Sequence, residues 1–383
     1  MAGSEIARPG RLTMRDMARE AGVSVATVSR YLNSIDQLRP ETRERVRQAM
    51  ERLQFEPNRV ASSLKSNRSS MVGVVVPDIT NPFFVGIIRS AENFLKNYNY
   101  TVLIGDTNES PAKEYEYLKD FFSRQIDGLI IIPSIEHGKI PAILNGRHVP
   151  TVFVDRYLSD KFDCVKGNNQ AGISLLMSHL AGYGYRRIGL ICGPLETLPG
   201  RERFEAFQAM LDLYNLPRND KWIRFCDFTV EGGYRATTDL LRESSRPDAI
   251  VASNNLTGIG ALRALHNAGL ELPADMGLVV FDEVVLGDVT NPPLTVVTQP
   301  SEEIGTEAAR ILLRRIRGEE SLPPQLIVHD PKLVIRASAR AMPRGAGSRR
   351  SELAEASIGN GRPGHAGPQS PQQLLKPKRG RSL

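Results

Sequence analysis

The chain has 383 residues, 41% of them hydrophobic and 24% charged, with a net charge of +6. That length exceeds one ordinary core, and the balance is that of a globular protein, so two or more folded units are expected. A membrane span, a secretory leader and a disulfide framework are not expected: no apolar run nears the roughly 20 residues of a span, the N-terminal stretch is not apolar, and Cys164, Cys192 and Cys226 are scattered and odd in number. The expected location is the cytoplasm, and the thiols are buried or incidental.

The charge is unevenly spread. Residues 1–65 carry 12 Lys/Arg against 8 Asp/Glu, residues 342–383 carry 8 against 2, and residues 66–341 are left at −4. A basic head on an acidic body suits a head that meets a polyanion, although many solvated helices are basic too.

Residues 1–11 read as a disordered arm, and the first elements follow in 12–57. Thr13 can cap a helix with Asp16 as its acidic partner. Met14, Met17, Ala18 and Ala21 fall on one side of it. Gly22 then supplies a tight turn, Val23 fills the angle, and Ser24 caps a second helix whose inner side is Val28 and Leu32 and whose outer side shows Val25, Ala26, Ser29 and Arg30. Two short helices joined by a Gly turn, the second displaying small and polar groups, form a helix-turn-helix. The same spacing fits an ordinary helical hairpin. A third amphipathic helix, Pro40–Leu53, turns Val46, Met50 and Leu53 inward.

Residues 58–70 read as a linker, and from 71 to 341 apolar runs alternate with helix-length amphipathic stretches. Strands are expected at 72–77, 101–105, 128–133, 151–155, 188–193, 249–252 and 277–282. Helices are expected from Pro82 and over 112–124, 170–182, 201–214, 232–243 and 256–268. Such alternation implies parallel sheets covered by helices, and this length divides naturally into two α/β lobes. Ligands of open α/β sheets sit at the carboxyl ends of the strands, so a cleft between the lobes is the expected site. Residues 342–383, rich in Gly, Pro, Ser and Arg, read as a disordered basic tail.

Three pieces carry a resemblance to a known family: the Ala-Gly-Val-Ser…Thr-Val-Ser-Arg run ending at Arg30, the Glu-Thr-Arg…Val helix beginning at Glu41, and Pro57-Asn-Arg-Val-Ala…Leu64. With them, residues 12 to about 340 closely resemble the lactose/galactose-repressor (LacI/GalR) family. The resemblance implies an all-α helix-turn-helix headpiece on a periplasmic-binding-protein-like core of two doubly wound parallel-sheet lobes. It further implies a homodimeric transcription regulator, a repressor, on a palindromic operator in double-stranded DNA. Val25, Ala26 and Arg30 take its base-reading positions. Their chemistry agrees, since Arg can fork onto guanine while Val and Ala suit a thymine methyl. Thr13, Ser24, Thr27, Ser29 and Asn33 would fix register on the phosphates. Residues 58–63, Asn58 and Ala61 among them, match the hinge helix that forms in the dimer on DNA; six residues hold no helix alone. Leu64 matches the wedge pressed into the minor groove. Three positions depart from the pattern: Arg39 replaces a small cap, Phe55 replaces a phenol, and Asn168-Asn169 stands where the family often has Asp-Asn, a change that bears on lobe contacts rather than on ligand.

The core resembles sugar-binding proteins of the ribose type, and the resemblance assigns an effector set: Asn81, Phe83, Phe84, Asp155, Arg156, Arg203, Phe228, Asn254, Asp282 and Gln299. Sugars need donors and acceptors around the ring edge and aromatic rings against its faces, and this set supplies both. Arg156 and Arg203 would also suit a carboxylate or phosphate, so a sugar, a sugar acid and a sugar phosphate all stay open. No cofactor and no metal are expected. The histidines stand singly, there are no Cys pairs, and no phosphate-binding or nucleophile motif marks an enzyme. An exported solute-binding protein would share the core, but not the headpiece.

Overall fold

The structure, a computed structural model, describes residues 12–33, 38–55, 68–134, 143–144, 146–156, 158–318 and 323–340. The expected arm, the hinge residues Asn58, Ala61 and Leu64, and the tail from 342 lie outside the described residues.

The headpiece is built from α1 (Met14–Ala21), α2 (Val25–Asn33) and α3 (Pro40–Leu53). Thr13 and Asp16 close a capping box: Thr13 Oγ1 accepts from the Asp16 amide at 3.3 Å, and Asp16 Oδ2 from the Thr13 amide at 2.9 Å. Those hydrogen bonds hold the exposed Asp16 carboxyl below its ordinary pKa. Gly22 turns the chain at φ 62°, a region cheap only for glycine. Arg45 of α3 clamps that turn, donating to the Ala21 and Gly22 carbonyls at 2.8 and 2.5 Å. Met17, Ala18, Ala21, Val28, Val46, Ala49 and Phe55 bury one another. The expected inner face of α3 is therefore shifted: Ala49 is buried, whereas Met50 and Leu53 are half-buried at its edge. Arg39 makes no side-chain cap, and Pro40 in the first turn opens α3 instead.

In the core, the N-lobe holds β1 (Met71–Val76), α4 (Pro82–Lys96), β2 (Thr101–Asp106), α5 (Pro111–Ser123), β3 (Gly128–Ile131), β4 (Thr151–Val154) and β5 (Asp163–Gly167). The C-lobe follows with α6 (Asn169–Gly182), β6 (Ile188–Cys192), α7 (Leu198–Leu213), β7 (Ile223–Phe225), α8 (Val230–Leu241), β8 (Ala249–Ala252), α9 (Asn255–Asn267), β9 (Gly277–Phe281) and β10 (Thr295–Thr298). The chain then returns to the N-lobe for α10 (Ser301–Ile316) and β11 (Leu326–His329), and crosses once more for β12 (Lys332–Val334). The sheet orders are β11-β5-β4-β3-β1-β2 and β12-β10-β9-β8-β6-β7. Every pairing is parallel except β10 with β12.

The central strands are apolar runs buried on both sides, as parallel strands between helix layers must be. The sequence reading omitted β5, β7 and β10 to β12, and omitted α10. Several of those strands are short, polar or half-exposed, which weakens their period. The signal for α10 was present: Ile304, Ala308, Ile311 and Leu312 share one buried face, with Glu in the first turn and Arg in the last.

The chain crosses between lobes at residues 167–169, 298–301 and 329–332. Asn168 binds the third crossing twice, its amide donating to the His329 carbonyl and its Nδ2 to Asp330 Oδ1, both at 2.9 Å. Gly167 is bare because a Cβ there would collide with the Gln299 carboxamide. The three crossings thus form one tied seam between the lobes.

Candidate functional site

On the headpiece, α2 carries the expected reading face. Val25, Ala26 and Arg30 are exposed, while Val28 is fully buried behind them. Ser24 caps α2 by accepting from the Thr27 amide at 3.1 Å, and its hydroxyl stands 2.9 Å from that of Thr27. Thr13 is exposed at the start of α1, and Ser29 is half-buried. Asn33 is the last residue of α2.

Between the lobes lies a cavity of about 470 Å³. Nine of the ten expected effector residues line it: Asn81, Phe83 and Phe84 from the start of α4, Asp155 and Arg156 after β4, Arg203 on α7, Phe228 before α8, Asn254 before α9, and Asp282 after β9. Gln299 is the exception. It stands behind the cavity wall at the second crossing and donates from Nε2 to Asp282 Oδ1 at 2.7 Å. Its contribution is to aim that carboxylate.

The two lobes bring equivalent pieces. β4 and β9 hold the same place in their sheets, and each ends in a buried aspartate with left-handed backbone, Asp155 at φ 61° and Asp282 at φ 70°. Backbone strain of this kind gathers at binding sites, where it aims a side chain. Burial raises both carboxyls, Asp282 to about 6, against the opposing pull of Arg156 on Asp155 and of Arg203 on Asp282. Asp155 Oδ1 and Arg156 Nε have no hydrogen-bond partner although buried. Groups so placed cost stability until something pairs them.

The two arginines differ. Arg156 forks onto Glu109, with Nη2 to Oε1 at 2.7 Å and Nη1 to Oε2 at 2.9 Å, and Nη1 also reaches the Pro133 and Ser134 carbonyls. Burial opposes its charge, but Glu109, Asp155 and Glu114 together outweigh that and hold its pKa above the ordinary value. Arg203 donates instead to neutral acceptors, Nε to Asn169 Oδ1 at 2.8 Å and Nη1 to the Ser253 carbonyl at 2.5 Å, and lies over the Phe281 ring at 3.7 Å. Asp282 stands 3.8 Å away, and burial pulls the Arg203 pKa down.

Sequence reasoning gave no site role to the residues that hold this set, although it marked Asn168-Asn169 for lobe contacts. Glu109 carries no motif of its own. Asn169 and Glu202 link Arg203 to Lys166 of β5: Asn169 Nδ2 donates to Glu202 Oε2 at 2.7 Å, and Lys166 pairs with Glu202 across the lobes. Asn255 Nδ2 donates across the cleft to Asn81 Oδ1 at 3.0 Å, joining the first turns of α9 and α4. Among the described residues no cluster of His, Cys, Asp and Glu could hold a metal, and no helix is long and apolar enough to cross a membrane.

A helix-turn-helix headpiece followed by a two-lobed periplasmic-binding-protein-like core defines a ligand-sensing class of bacterial DNA-binding regulator. Residues 13–58 match the bacterial regulatory proteins of the lacI family, and residues 177–339 match a periplasmic binding protein-like domain. The ribose operon repressor of Halalkalibacterium halodurans is 34% identical over 324 residues, covering 83% of this chain and 96% of the relative. The lac repressor dimer bound to operator and the anti-inducer ONPF superposes with a TM-score of 0.76 at 25% identity, over 87% of this chain and all of that one. A LacI family regulator from Enterococcus faecium with bound ribose gives 0.64 at 28% identity, over 72% and 99%. The chain belongs to the lacI family and is a DNA-binding transcriptional regulator of that family.

Proposed function

We propose that this chain is a homodimeric, cytoplasmic repressor whose affinity for a palindromic operator is set by a small sugar-like effector in the interlobe cavity, and that it catalyses no reaction. Val25, Ala26 and Arg30 read bases. Thr13, Ser24, Thr27, Ser29 and Asn33 hold phosphates. Residues 58–63, with Asn58 and Ala61, form a hinge helix on DNA, and Leu64 wedges the minor groove. Asn81, Asp155, Arg156, Arg203, Asn254 and Asp282 take the effector's hydroxyls, Phe83, Phe84 and Phe228 cover its faces, and Gln299 steadies Asp282.

The observation that carries the reading is the convergence of nine scattered residues on one cavity, two of which, Asp155 and Arg156, each hold a buried polar atom that lacks a partner. The ribose-bound relative and the ribose operon repressor support a sugar as the ligand class. An effector shifts operator affinity only by its differential affinity for the DNA-binding and released states of the regulator. A thermal-shift screen of the full chain against pentoses, hexoses, sugar acids and sugar phosphates tests the cavity, because a ligand of the native state raises the melting temperature by mass action. Silence across that panel would remove the sugar. For the headpiece, Leu64→Ala is expected to weaken specific operator binding about tenfold or more and leave non-specific binding near wild type; equal losses on both would remove the wedge.

A further inference from the structure

The cavity is poor in available positive charge. Among the described residues that line it are six carboxylates (Asp78, Glu109, Asp155, Glu196, Asp227 and Asp282) and two guanidiniums. Both guanidiniums are already engaged. Arg156 has Nη1 and Nη2 filled by Glu109 and two carbonyls, and only Nε is without a partner. Arg203 is held between Asn169 and Ser253 with Asp282 as its nearest counter-charge.

Glu109 is built into that position. Asn108 and Glu109 are consecutive non-glycine residues with left-handed backbone, at φ 49° and 54°. The Glu109 amide donates to the Pro77 carbonyl at 2.9 Å, which pins the turn against the end of β1. Such strain persists only where the surroundings impose it, and here it returns the carboxylate to Arg156 as a two-pronged pair. An incoming carboxylate or phosphate would have to displace Glu109 from Arg156 and then sit among the remaining carboxylates. A hydroxyl needs neither step, since an uncharged group can donate to the lining carboxylates while Glu109 stays on Arg156.

Resting on the interlobe cavity as the effector site, we infer that Glu109 is a specificity-determining residue: by occupying Arg156 it reserves the cavity for uncharged hydroxylated ligands and rejects sugar acids and sugar phosphates. The acidic lining makes the rejection electrostatic as well as steric.

The test is titration calorimetry of the full chain with matched ligands: ribose against ribose 5-phosphate, glucose against glucuronate, and galactose against galacturonate. In any pair that binds, the neutral sugar is expected to bind wild type at least about 100-fold tighter than its anionic partner. Glu109→Gln is expected to narrow that ratio at least about tenfold by gaining affinity for the anion. Glu109→Ala is expected to act in the same direction, and thermal melts of both variants report folding separately. An anionic ligand that binds wild type as tightly as its neutral partner overturns the inference, as does a ratio that both folded variants leave unchanged. If only an anion binds, the cavity stands and the role of Glu109 falls. If no member of any pair binds, the sugar reading falls and takes this inference with it.

Discussion

The two lobes share a strand order and place an aspartate at the same strand end, yet they treat their arginines differently. In the N-lobe, Arg156 is neutralised at home by Glu109. In the C-lobe, Arg203 is held by a side-chain amide and a carbonyl, with a carboxylate only at 3.8 Å. A fold repeated twice therefore gives one arginine paired by a carboxylate and one held by neutral acceptors. The C-lobe arginine is also the one wired to the seam, through Asn169, Glu202 and Lys166. The arginine proposed to sense the effector is thus the one tied to the seam.

The largest effect that could break this comparison comes from Arg203→Ala. The substitution leaves Asn169 Oδ1 and the Ser253 carbonyl without this donor, at a cost of roughly 1–3 kcal/mol for each buried group left unsatisfied. Effector response, read as operator release or capture in a fluorescence anisotropy titration, is expected to vanish while ligand-free operator binding persists. A mutant that responds at unchanged ligand concentration would place sensing elsewhere.

Asp282→Asn comes next and acts in the opposite direction on stability. Burial raises the folded pKa from 3.8 to about 6, so the folded state binds the extra proton. The stability linked to that proton is complete below about pH 4 and is lost as pH rises through 6. The neutral amide avoids this loss, so the variant is expected to be more stable than wild type by up to about 3 kcal/mol at pH 8, with the gap closing near pH 4. Thermal melts at the two pH values check it, and a gap that widens on acidification would contradict the raised carboxyl.

The smallest expected effect sharpens the comparison at the point where the lobes touch. Asn255→Ala deletes the cross-cleft hydrogen bond to Asn81, worth about 1 kcal/mol, and leaves the Asn81 cap on Phe83 in place. The cleft is expected to open more readily, lowering effector affinity about fivefold and lengthening the interlobe distance between spin labels. An unchanged distance would show that the seam alone sets closure.

Much of this architecture was legible because periodicity reports burial. β1, β3, β4, β8 and β9 are apolar runs, and each was located to within a residue or two. β5 escaped because Asp163 and Lys166 interrupt it, and both charges are tolerated only through tertiary partners, Arg315 and Glu202. The cavity wall was legible through resemblance, since its residues sit at strand and helix ends that the family pattern marks. The second layer was not. Whether Glu109 faces Arg156, or Gln299 stands behind Asp282, depends on contacts across 47 and 17 residues of sequence, and no local pattern encodes them.

The late return of the chain has a genetic consequence. α10 supplies Ile304, Ala308, Ile311 and Leu312 to the N-lobe core, β11 edges the same sheet, and β12 closes the other. A stop codon just after residue 298 would therefore strip a helix from the first lobe, although that lobe had been synthesised long before. One placed after residue 340 would spare every described strand and helix. Early and late nonsense alleles should thus not form a graded series, and a gene split between the lobes should need the distal fragment to restore the proximal one.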